Sequence, residues 1–432
     1  MRAASSAPLG AGYSETPLWH AGVVGPETGA PAPLPTRADV LVVGAGYCGL
    51  AAAAGLARHG RRVVVLEAGT TGAGASTRNG GMVIPELKFG PRTLVRRHGP
   101  LGAALVQCAL DAYDLVERTV TEHEIDCDYE QTGALLLAHH PSQVRGLRDA
   151  EAEWRELGVA ATFLSRAELG REIGTDEYDG GLVVEKTAAV QPAKFHAALR
   201  AEAVSAGAEI HERTRATGCR RAGDGFRVVT TKGNVEVADV LSAANAYADG
   251  FLPQLRRRVL PVGSFIVATE PLPAEVARAV LPGRRMCFDT KHLLYYWRLS
   301  PDRRMVFGGR TSLAYHSVAD ARDALYRAMC RVHPQLTGVA IDYAWGGDVA
   351  ITRDRLPHCG RLDGVAFATG CNGTGIALAT WFGTHLAEWM AGDEAAPPFA
   401  QLSFPFIPFY DLRSVWMPPA GAALRVLDRW GR

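Results

Sequence analysis

Three closely spaced glycines are the most informative chemical feature of this sequence. Gly44, Gly46 and Gly49 form a G-x-G-x-x-G pattern that follows an apolar run and precedes an alanine-rich segment. Such a turn lets a phosphate approach the backbone, and the amides and dipole of a following helix stabilise its charge. Glu67 stands at the end of the next apolar run. A carboxylate there accepts hydrogen bonds from the ribose hydroxyls and repels a 2′-phosphate. The pattern predicts a dinucleotide site and disfavours NADP.

A glycine-rich loop, residues 69–83, follows directly and indicates which dinucleotide is bound. It contains the run Ser76-Thr-Arg-Asn-Gly-Gly81, which offers hydroxyls, backbone amides and two adjacent glycines. Such a loop can wrap a pyrophosphate and lie flat against a ring system. It therefore favours FAD over NAD.

The elements that position these residues follow from apolar patterning. Strand 38–46, helix 48–59 and strand 61–69 form one βαβ unit. Further helices are predicted over 91–122, 142–157, 192–206 and 317–332. Further strands are predicted near 131–139, 262–270, 293–299 and 304–310. The chain leaves the nucleotide domain near residue 85 and returns at least twice.

Composition excludes several classes of protein. The 432 residues include 47% hydrophobic residues, and 46 Lys and Arg balance 45 Asp and Glu. A net charge of +1 provides no general attraction for nucleic acid or an anionic membrane. The eight cysteines form no C-x-x-C pair, which argues against a metal site and for reduced thiols in the cytoplasm. We also find no signal-peptide core and no transmembrane-length apolar run.

Three segments in order resemble one flavoprotein family. They are DVLVVGAGYCGLAAAAGLARHG with VVVLEAG and GASTRNGG, then YYWRLSPDRRMVFGGRT, then WGGDVAITRDRLPHCGRLDGVAFATGCNGTGIALA. They resemble the D-amino-acid oxidase, glycine oxidase and sarcosine oxidase (DAO) superfamily, in particular its gamma-glutamylputrescine oxidoreductase-like enzymes. The resemblance covers residues 15–425. It implies an α/β fold in which a Rossmann-type FAD-binding domain is interleaved with an α+β substrate domain on a large mixed sheet.

The resemblance also implies which residues bind FAD. The backbone of Ala216 would reach the adenine, and the turn at 373–376 would lie at the pyrimidine end of the flavin. A helix that begins there would stabilise an anionic reduced flavin. The implied cofactor-binding residues are Gly44, Gly46, Tyr47, Cys48, Gly49, Glu67, Ala68, Ser76, Thr77, Arg78, Asn79, Gly80, Gly81, Met82, Ala216, Gly347, Asn372, Gly373, Thr374, Gly375 and Ile376.

Three positions depart from better-known relatives. Val349 stands where several amino-acid oxidases carry the arginine that binds an α-carboxylate, which favours an amine or a differently held amino acid. No cysteine stands near Gly346–Gly347 and no histidine at Asn79, the positions of covalent attachment in some relatives, so we expect non-covalent FAD. No lysine occurs over Met305–Phe307, where sarcosine oxidases use one for oxygen activation. A dehydrogenase that uses an electron carrier therefore stays an alternative to an oxidase.

The segment Tyr295–Arg298 is the candidate substrate-facing strand. Strand alternation puts Tyr295 and Trp297 on one face and Tyr296 and Arg298 on the other. One pair could line an aromatic slot that holds a cation, and ordinary sheet packing is the alternative. The predicted substrate-pocket residues are Tyr296, Arg298, Trp345 and Thr374.

The predicted domains are discontinuous. We expect a lead-in over 1–36, an FAD-binding domain over 37–90, 180–245 and 345–395, a substrate domain over 91–179 and 246–344, and a C-terminal extension over 396–432.

The expected reaction is oxidation of a C–N bond in a small amine or amino-acid derivative. Hydride passes from the α-carbon of the amine to flavin N5, and the imine leaves. Oxygen then reoxidises the reduced flavin and is converted to hydrogen peroxide. The alternatives are a flavin dehydrogenase with an electron carrier, a non-catalytic flavin-binding module, and an NAD-linked dehydrogenase. The expected partners are thus a small substrate and oxygen or a carrier, with neither nucleic acid nor membrane.

Overall fold

The computed structural model describes residues 6–23, 33–248, 250–310, 313 and 317–431. Parts of the predicted lead-in and C-terminal extension (1–5, 24–32 and 432), and Thr311 in the family-like middle segment, lie outside the described residues. The strands are β1 (Leu9–Ser14), β2 (Arg37–Val43), β3 (Val63–Leu66), β4 (Met82–Val83), β5 (Ala134–Leu137), β6 (Ala161–Ser165), β7 (Gly180–Val184), β8 (Ala188–Ala189), β9 (Glu209–His211), β10 (Ala216–Ala222), β11 (Gly225–Thr230), β12 (Gly233–Ser242), β13 (Val259–Thr269), β14 (Met286–Asp289), β15 (Tyr295–Leu299), β16 (Met305–Gly309), β17 (Ile341–Thr352), β18 (His358–Leu362) and β19 (Val365–Thr369). The helices are α1 (Tyr47–Arg58), α2 (Pro91–His98), α3 (Pro100–Glu122), α4 (Val144–Glu156), α5 (Arg166–Leu169), α6 (Pro192–Ser205), α7 (Pro253–Arg256), α8 (Ala274–Val280), α9 (Val318–Val332), α10 (Gly375–Ala391) and α11 (Arg413–Arg429). Within the described ranges, none of these helices has the length and apolar character that crossing a bilayer requires.

A parallel sheet built on the first βαβ unit carries the glycine motif. Its parallel strands lie in the order β9, β3, β2, β12, β19, and the antiparallel strands β10 and β11 continue from the first half of β12. Every residue of β3 and the last four of β2 are buried, as expected for parallel strands covered by helices. The alanine-rich α1 packs against α10 and α6. This arrangement confirms the predicted α/β class.

A nine-stranded mixed sheet forms the second layer of the fold. Its strand order is β1, β17, β13, β16, β15, β14, β5, β7, β6. On one face, Trp297 stacks on Phe307 with ring centroids 5.4 Å apart, within a core that includes Leu325 and Met329 of α9. Because side chains alternate along β15, its neighbour Tyr296 points to the opposite face. On that face, the Tyr296 ring lies against Gly80 of the glycine-rich loop.

The chain passes repeatedly between the two sheets. Strands β2, β3, β9–β12, β18 and β19 join the parallel sheet, whereas β5–β7 and β13–β17 join the mixed sheet. Strands β7 and β17 thus lie in the mixed sheet, although the predicted boundaries assign 180–245 and 345–395 to the FAD-binding domain. The residue pattern of a short strand does not indicate which of two sheets the strand joins. The domain boundaries stay a prediction.

Candidate active site

The glycine turn after β2 has the tight geometry that a dinucleotide site needs. Gly44 has a φ of +104°, and a Cβ on Gly49 would lie 1.8 Å from the Gly44 carbonyl oxygen. Only glycine at position 49 therefore lets α1 begin so close to the turn. The Glu67 carboxylate, just after β3, accepts the backbone amides of Ala45 at 3.1 Å and Gly69 at 2.9 Å. The acid thus lies against the turn, as a site for ribose and pyrophosphate requires.

The glycine-rich loop lies beside the start of α1 and is braced by its own side chains. Ser76 Oγ accepts the Tyr47 amide at 3.1 Å. The Asn79 side-chain amide donates to the carbonyls of Ala75 and Ser76 at 3.1 and 2.9 Å, and its oxygen accepts the Gly81 amide at 2.8 Å. These bonds fix the course of the loop, so its backbone is preorganised for a ligand.

Two residues predicted to line the substrate pocket lie behind this loop instead. Arg298 is 3% exposed, and its guanidinium donates to the carbonyls of Gly80 and Val190. Trp345 is 1% exposed, and its indole N–H donates to the Arg78 carbonyl at 2.9 Å. Neither side chain borders the cavity described next, and their place in the substrate pocket stays a prediction that this geometry does not favour. Strand alternation gives the face of a side chain, but not whether a neighbouring loop covers it.

A cavity of about 690 Å³ lies between the loop, the mixed sheet and the start of α10. The predicted residues that line it are Tyr47, Ser76, Arg78, Asn79, Gly80, Met82, Tyr296, Gly347, Asn372, Gly373, Thr374, Gly375 and Ile376. The other predicted cofactor residues lie outside its wall, namely Gly44, Gly46, Cys48, Gly49, Glu67, Ala68, Thr77, Gly81 and Ala216. The glycine turn adjoins the cavity through Ser76, whose Oγ lies 2.9 Å from the place of a Cβ on Gly46. The residues present therefore fit FAD, with a nucleotide-binding turn opening onto a space of small-molecule size.

The turn before α10 presents backbone, not side chains, to the cavity. Asn372 and Gly373 have φ values of +52° and +103°. The Asn372 oxygen accepts the Thr352 amide at 3.2 Å, and the Thr374 hydroxyl donates to the Cys371 carbonyl at 3.0 Å. The Asn372 side-chain oxygen and the Thr374 hydroxyl thus both form hydrogen bonds within the protein. Thr374 borders the cavity, but its hydroxyl already donates its hydrogen to Cys371. The free amides of the first turn of α10 lie at the cavity wall, where they favour a partial negative charge.

Of the aromatic residues predicted for the substrate pocket, Tyr296 lines the cavity. A Cβ on Gly80 would lie 2.9 Å from its ring, and one on Gly308 would lie 2.4 Å from it. Its hydroxyl lies 3.2 Å from Ser264 Oγ. Burial raises the pKa of Tyr296, so the phenol stays protonated and can donate a hydrogen bond at neutral pH.

A group of charged side chains in the cavity was not predicted from the sequence: Lys88, Arg310, Arg355 and Glu86. Burial lowers the pKa of Lys88 to about 8; Glu86 opposes this shift, whereas Arg310 and Arg355 add to it. Burial also lowers the pKa of Arg310 to about 10, and repulsion from Arg355 contributes. Burial raises the pKa of Glu86. The available signals were the position of Lys88 just after the glycine-rich loop and that of Arg310 at the end of a predicted strand.

Part of the cavity wall is apolar. Its residues come from helices α2 and α4 and from the mixed sheet, namely Leu94, Leu136, Leu147, Trp154, Leu182 and Phe288. Hydrocarbon walls of this kind accept methylene chains and exclude water. The cavity therefore combines charged and apolar wall residues.

The buried cysteines bear on how a flavin is held. Cys371 lines the cavity, and burial raises the pKa of its thiol to about 12. Burial likewise raises the pKa values of Cys48 and Cys359. Because the thiolate is the reactive species, these thiols are poor nucleophiles at neutral pH. Non-covalent binding of FAD thus stays our prediction.

Comparisons with known proteins lead to one family. The FAD-dependent oxidoreductase family (DAO) matches residues 39–389. The chain is 35% identical to the probable oxidoreductase OrdL of Haemophilus influenzae, over 83% of this chain and 84% of that protein. It is 32% identical to the gamma-glutamylputrescine oxidoreductase of Escherichia coli, over 91% of this chain and 93% of that protein. The structure of glycine oxidase from Geobacillus kaustophilus shares the fold with a TM-score of 0.72 at 24% identity, over 85% of this chain and 99% of that one. This chain therefore belongs to the DAO family of FAD-dependent oxidoreductases, as its motifs predicted.

Proposed function

We propose that this FAD-dependent oxidoreductase oxidises the C–N bond of a small amine or amino-acid derivative. The observation that carries the proposal is the shared cavity, which joins the cofactor segments 76–82 and 372–376 to the Tyr296 face of the mixed sheet. Its volume of about 690 Å³ lies within the range of small-molecule sites. The relatives support this substrate class, since gamma-glutamylputrescine and glycine, for which two of them are named, are both amines.

Residues of this chain would hold three parts of the cofactor. The turn at Gly44–Gly49 and the loop around Ser76 would hold the pyrophosphate, and Glu67 would hold the ribose. The backbone at 373–376 would hold the pyrimidine end. FAD supplies, when bound, the hydride acceptor for the oxidation.

The cavity is suited to keeping a bound amine unprotonated. An amine must have a free lone pair to lose hydride from its α-carbon, and an ammonium group lacks one. Burial and nearby positive charge both disfavour the ammonium form. The pKa of Lys88, lowered to about 8, reports this effect on an amine already in the cavity. Tyr296 and Ser264 offer hydroxyl groups that could orient the substrate.

Anaerobic titration of the purified protein with a panel of amines tests the proposal. The panel contains putrescine, gamma-glutamylated amines, N-methyl amino acids and D-amino acids, and the visible absorption of FAD is followed. We expect one class to bleach the flavin band. A yellow protein that no amine bleaches would contradict the proposed chemistry, and a colourless protein that takes up no FAD would contradict cofactor binding as well.

Readmitting air then distinguishes the two electron acceptors. Fast return of the yellow colour with hydrogen peroxide is expected of an oxidase. The alternative, a dehydrogenase with an electron carrier, is favoured by Met305, Val306 and Phe307, which are buried and apolar where sarcosine oxidases use a lysine. Slow return in air and fast return with an added dye acceptor would support that alternative.

A further inference from the structure

We infer that Trp19, in the N-terminal lead-in, is a positioning residue of the flavin site, because it sets the direction in which the backbone amide of Gly80 points. The lead-in precedes the region that the family matches, which begins at residue 39. This role goes beyond the proposed function, since it requires FAD to bind but does not depend on which amine is oxidised.

The lead-in is built into the fold and is held there at several points. Strand β1 pairs in parallel with β17 at the edge of the mixed sheet. Trp19 lies further along the lead-in and is 2% exposed, and its ring packs edge to face against Trp345 with centroids 6.1 Å apart. Its carbonyl accepts the Gln191 side-chain amide at 2.7 Å, and the Gln191 oxygen accepts amides of the first turn of α6. These contacts fix Trp19 in one position.

Trp19 binds one of three consecutive carbonyls in the glycine-rich loop. Its indole Nε1 donates to the Asn79 carbonyl at 2.7 Å. The preceding carbonyl accepts Trp345, and the following one accepts Arg298. The peptides of the described residues are trans, and a trans peptide is planar, with its carbonyl and its amide hydrogen on opposite sides. The Gly80 amide hydrogen therefore points away from Trp19.

The Gly80 amide is available to a ligand. Among the described residues, neither it nor the Asn79 amide has a hydrogen-bond partner, whereas the Gly81 amide donates to the Asn79 side chain at 2.8 Å. Asn79 and Gly80 line the cavity, and Trp19 does not. A flavin ring has carbonyl oxygens and nitrogens that accept such an amide. Because the ring gains negative charge on reduction, an amide that donates to it stabilises the reduced form.

Trp19→Phe tests this role, because it keeps an aromatic ring and removes the N–H donor. Two properties of the holoprotein are measured, namely the release of FAD on dilution, followed by flavin fluorescence, and the midpoint potential of the flavin. We expect FAD to bind about 3- to 10-fold more weakly, as for the loss of one hydrogen bond, and the midpoint potential to become more negative. A potential that does not change would overturn the inference, whatever happens to the FAD affinity.

Trp19→His separates the N–H donor from the packing of the ring. Histidine Nε2 occupies the same place in its five-membered ring as the indole Nε1, two bonds from Cγ, but the second ring is missing. We expect this variant to unfold at a lower urea concentration than wild type and yet to keep a nearly wild-type midpoint potential. A potential as negative as that of Trp19→Phe would show that the bulk of the indole matters and not its N–H. A strongly negative shift in Trp19→His would overturn the inference even if Trp19→Phe gives no folded holoprotein.

Trp416→Phe is the matched control for the loss of an indole hydrogen bond. Trp416 Nε1 also donates to a backbone carbonyl, that of Phe409 at 3.0 Å, and Trp416 does not border the cavity. The control should keep the wild-type FAD affinity and midpoint potential. A shift in potential equal to that of Trp19→Phe would mean that the effect is not specific to the loop, and would overturn the inference.

His20→Phe shows whether loosening the lead-in is enough to produce the effect. His20 Nε2 lies 2.8 Å from Thr77 Oγ1, so it holds the same loop but does not bind the peptide between residues 79 and 80. We expect the midpoint potential of this variant to change less than that of Trp19→Phe. Equal changes in the two variants would show that the lead-in acts only as a general support, and would overturn the specific role of Trp19.

Discussion

The Arg298 guanidinium ties the mixed sheet to the glycine-rich loop, with Nε donating to the Gly80 carbonyl at 2.8 Å. Its Nη2 donates to the Val190 carbonyl at the same distance, and the Trp19 ring lies 5.0 Å from the guanidinium carbon. Burial lowers the pKa of Arg298 to about 10, so the group stays charged at neutral pH. Charge-assisted hydrogen bonds therefore fix the position of the glycine-rich loop relative to the strand that carries Tyr296.

Arg298→Met should damage the fold and FAD binding, and should not act through substrate contact. It leaves two buried carbonyls unpaired, which we expect to lower the free energy of unfolding by about 2–4 kcal/mol. Urea denaturation and the ratio of flavin to protein absorbance measure the two effects. Arg220→Met, at an exposed position, is the control. Normal stability and FAD content with a raised KM would return Arg298 to the substrate pocket.

Gly81→Ala should abolish FAD binding. Gly81 has a φ of +74°, and a Cβ there would lie 2.3 Å from the Val190 carbonyl oxygen and 2.5 Å from Arg298 Nη2. The backbone would have to move, and the loop with it. Gly207→Ala separates the clash from backbone strain, since Gly207 has a φ of +102° but open space around it. Equal FAD content in the two purified variants would contradict this argument.

Denaturation should release FAD from the protein, because we expect no covalent bond between them. No cysteine stands at Gly346–Gly347, and burial holds the Cys371 thiol at a pKa of about 12, where it is a poor nucleophile. Precipitation with acid should therefore put all the yellow colour in the supernatant. Colour that stays in the pellet of wild type and is lost from that of Cys371→Ser would show a covalent link instead.

The cofactor half of the site was predictable because it is built from backbone. Glycine patterns such as those at 44–49, 80–81 and 373–375 report where a chain must turn or approach another chain closely, and this is a property of the residues themselves. Segments 80–81 and 373–375 lie at or beside one cavity. Segment 44–49 adjoins the same cavity through Ser76.

The substrate-facing part of the site was less predictable, because it depends on which neighbouring segment covers each side chain in the folded protein. Arg298 and Tyr296 share a strand face, yet the loop covers Arg298 and leaves Tyr296 open to the cavity. Lys88 and Arg310 meet only because β16 and the segment after β4 approach the same turn, and neither has a motif that announces this. Their meeting is a product of tertiary packing.

The destabilising effect of the charged Lys88 should shrink as the pH rises above about 8. The folded-state pKa of Lys88 is lowered to about 8 from its ordinary 10.5, by burial and by Arg310 and Arg355, against the opposing effect of Glu86. Because the folded-state value is the lower one, the charged lysine reduces stability fully below pH 8, progressively less up to 10.5, and not at all above it.

Urea denaturation of wild type and of Lys88→Met, at pH values from about 7 to 10.5, checks this expectation. The same variant should be more stable than wild type below pH 8, and this difference should shrink toward pH 10.5, because methionine carries no charge to desolvate. A stability difference that does not change with pH would show that burial of the Lys88 charge does not destabilise the protein.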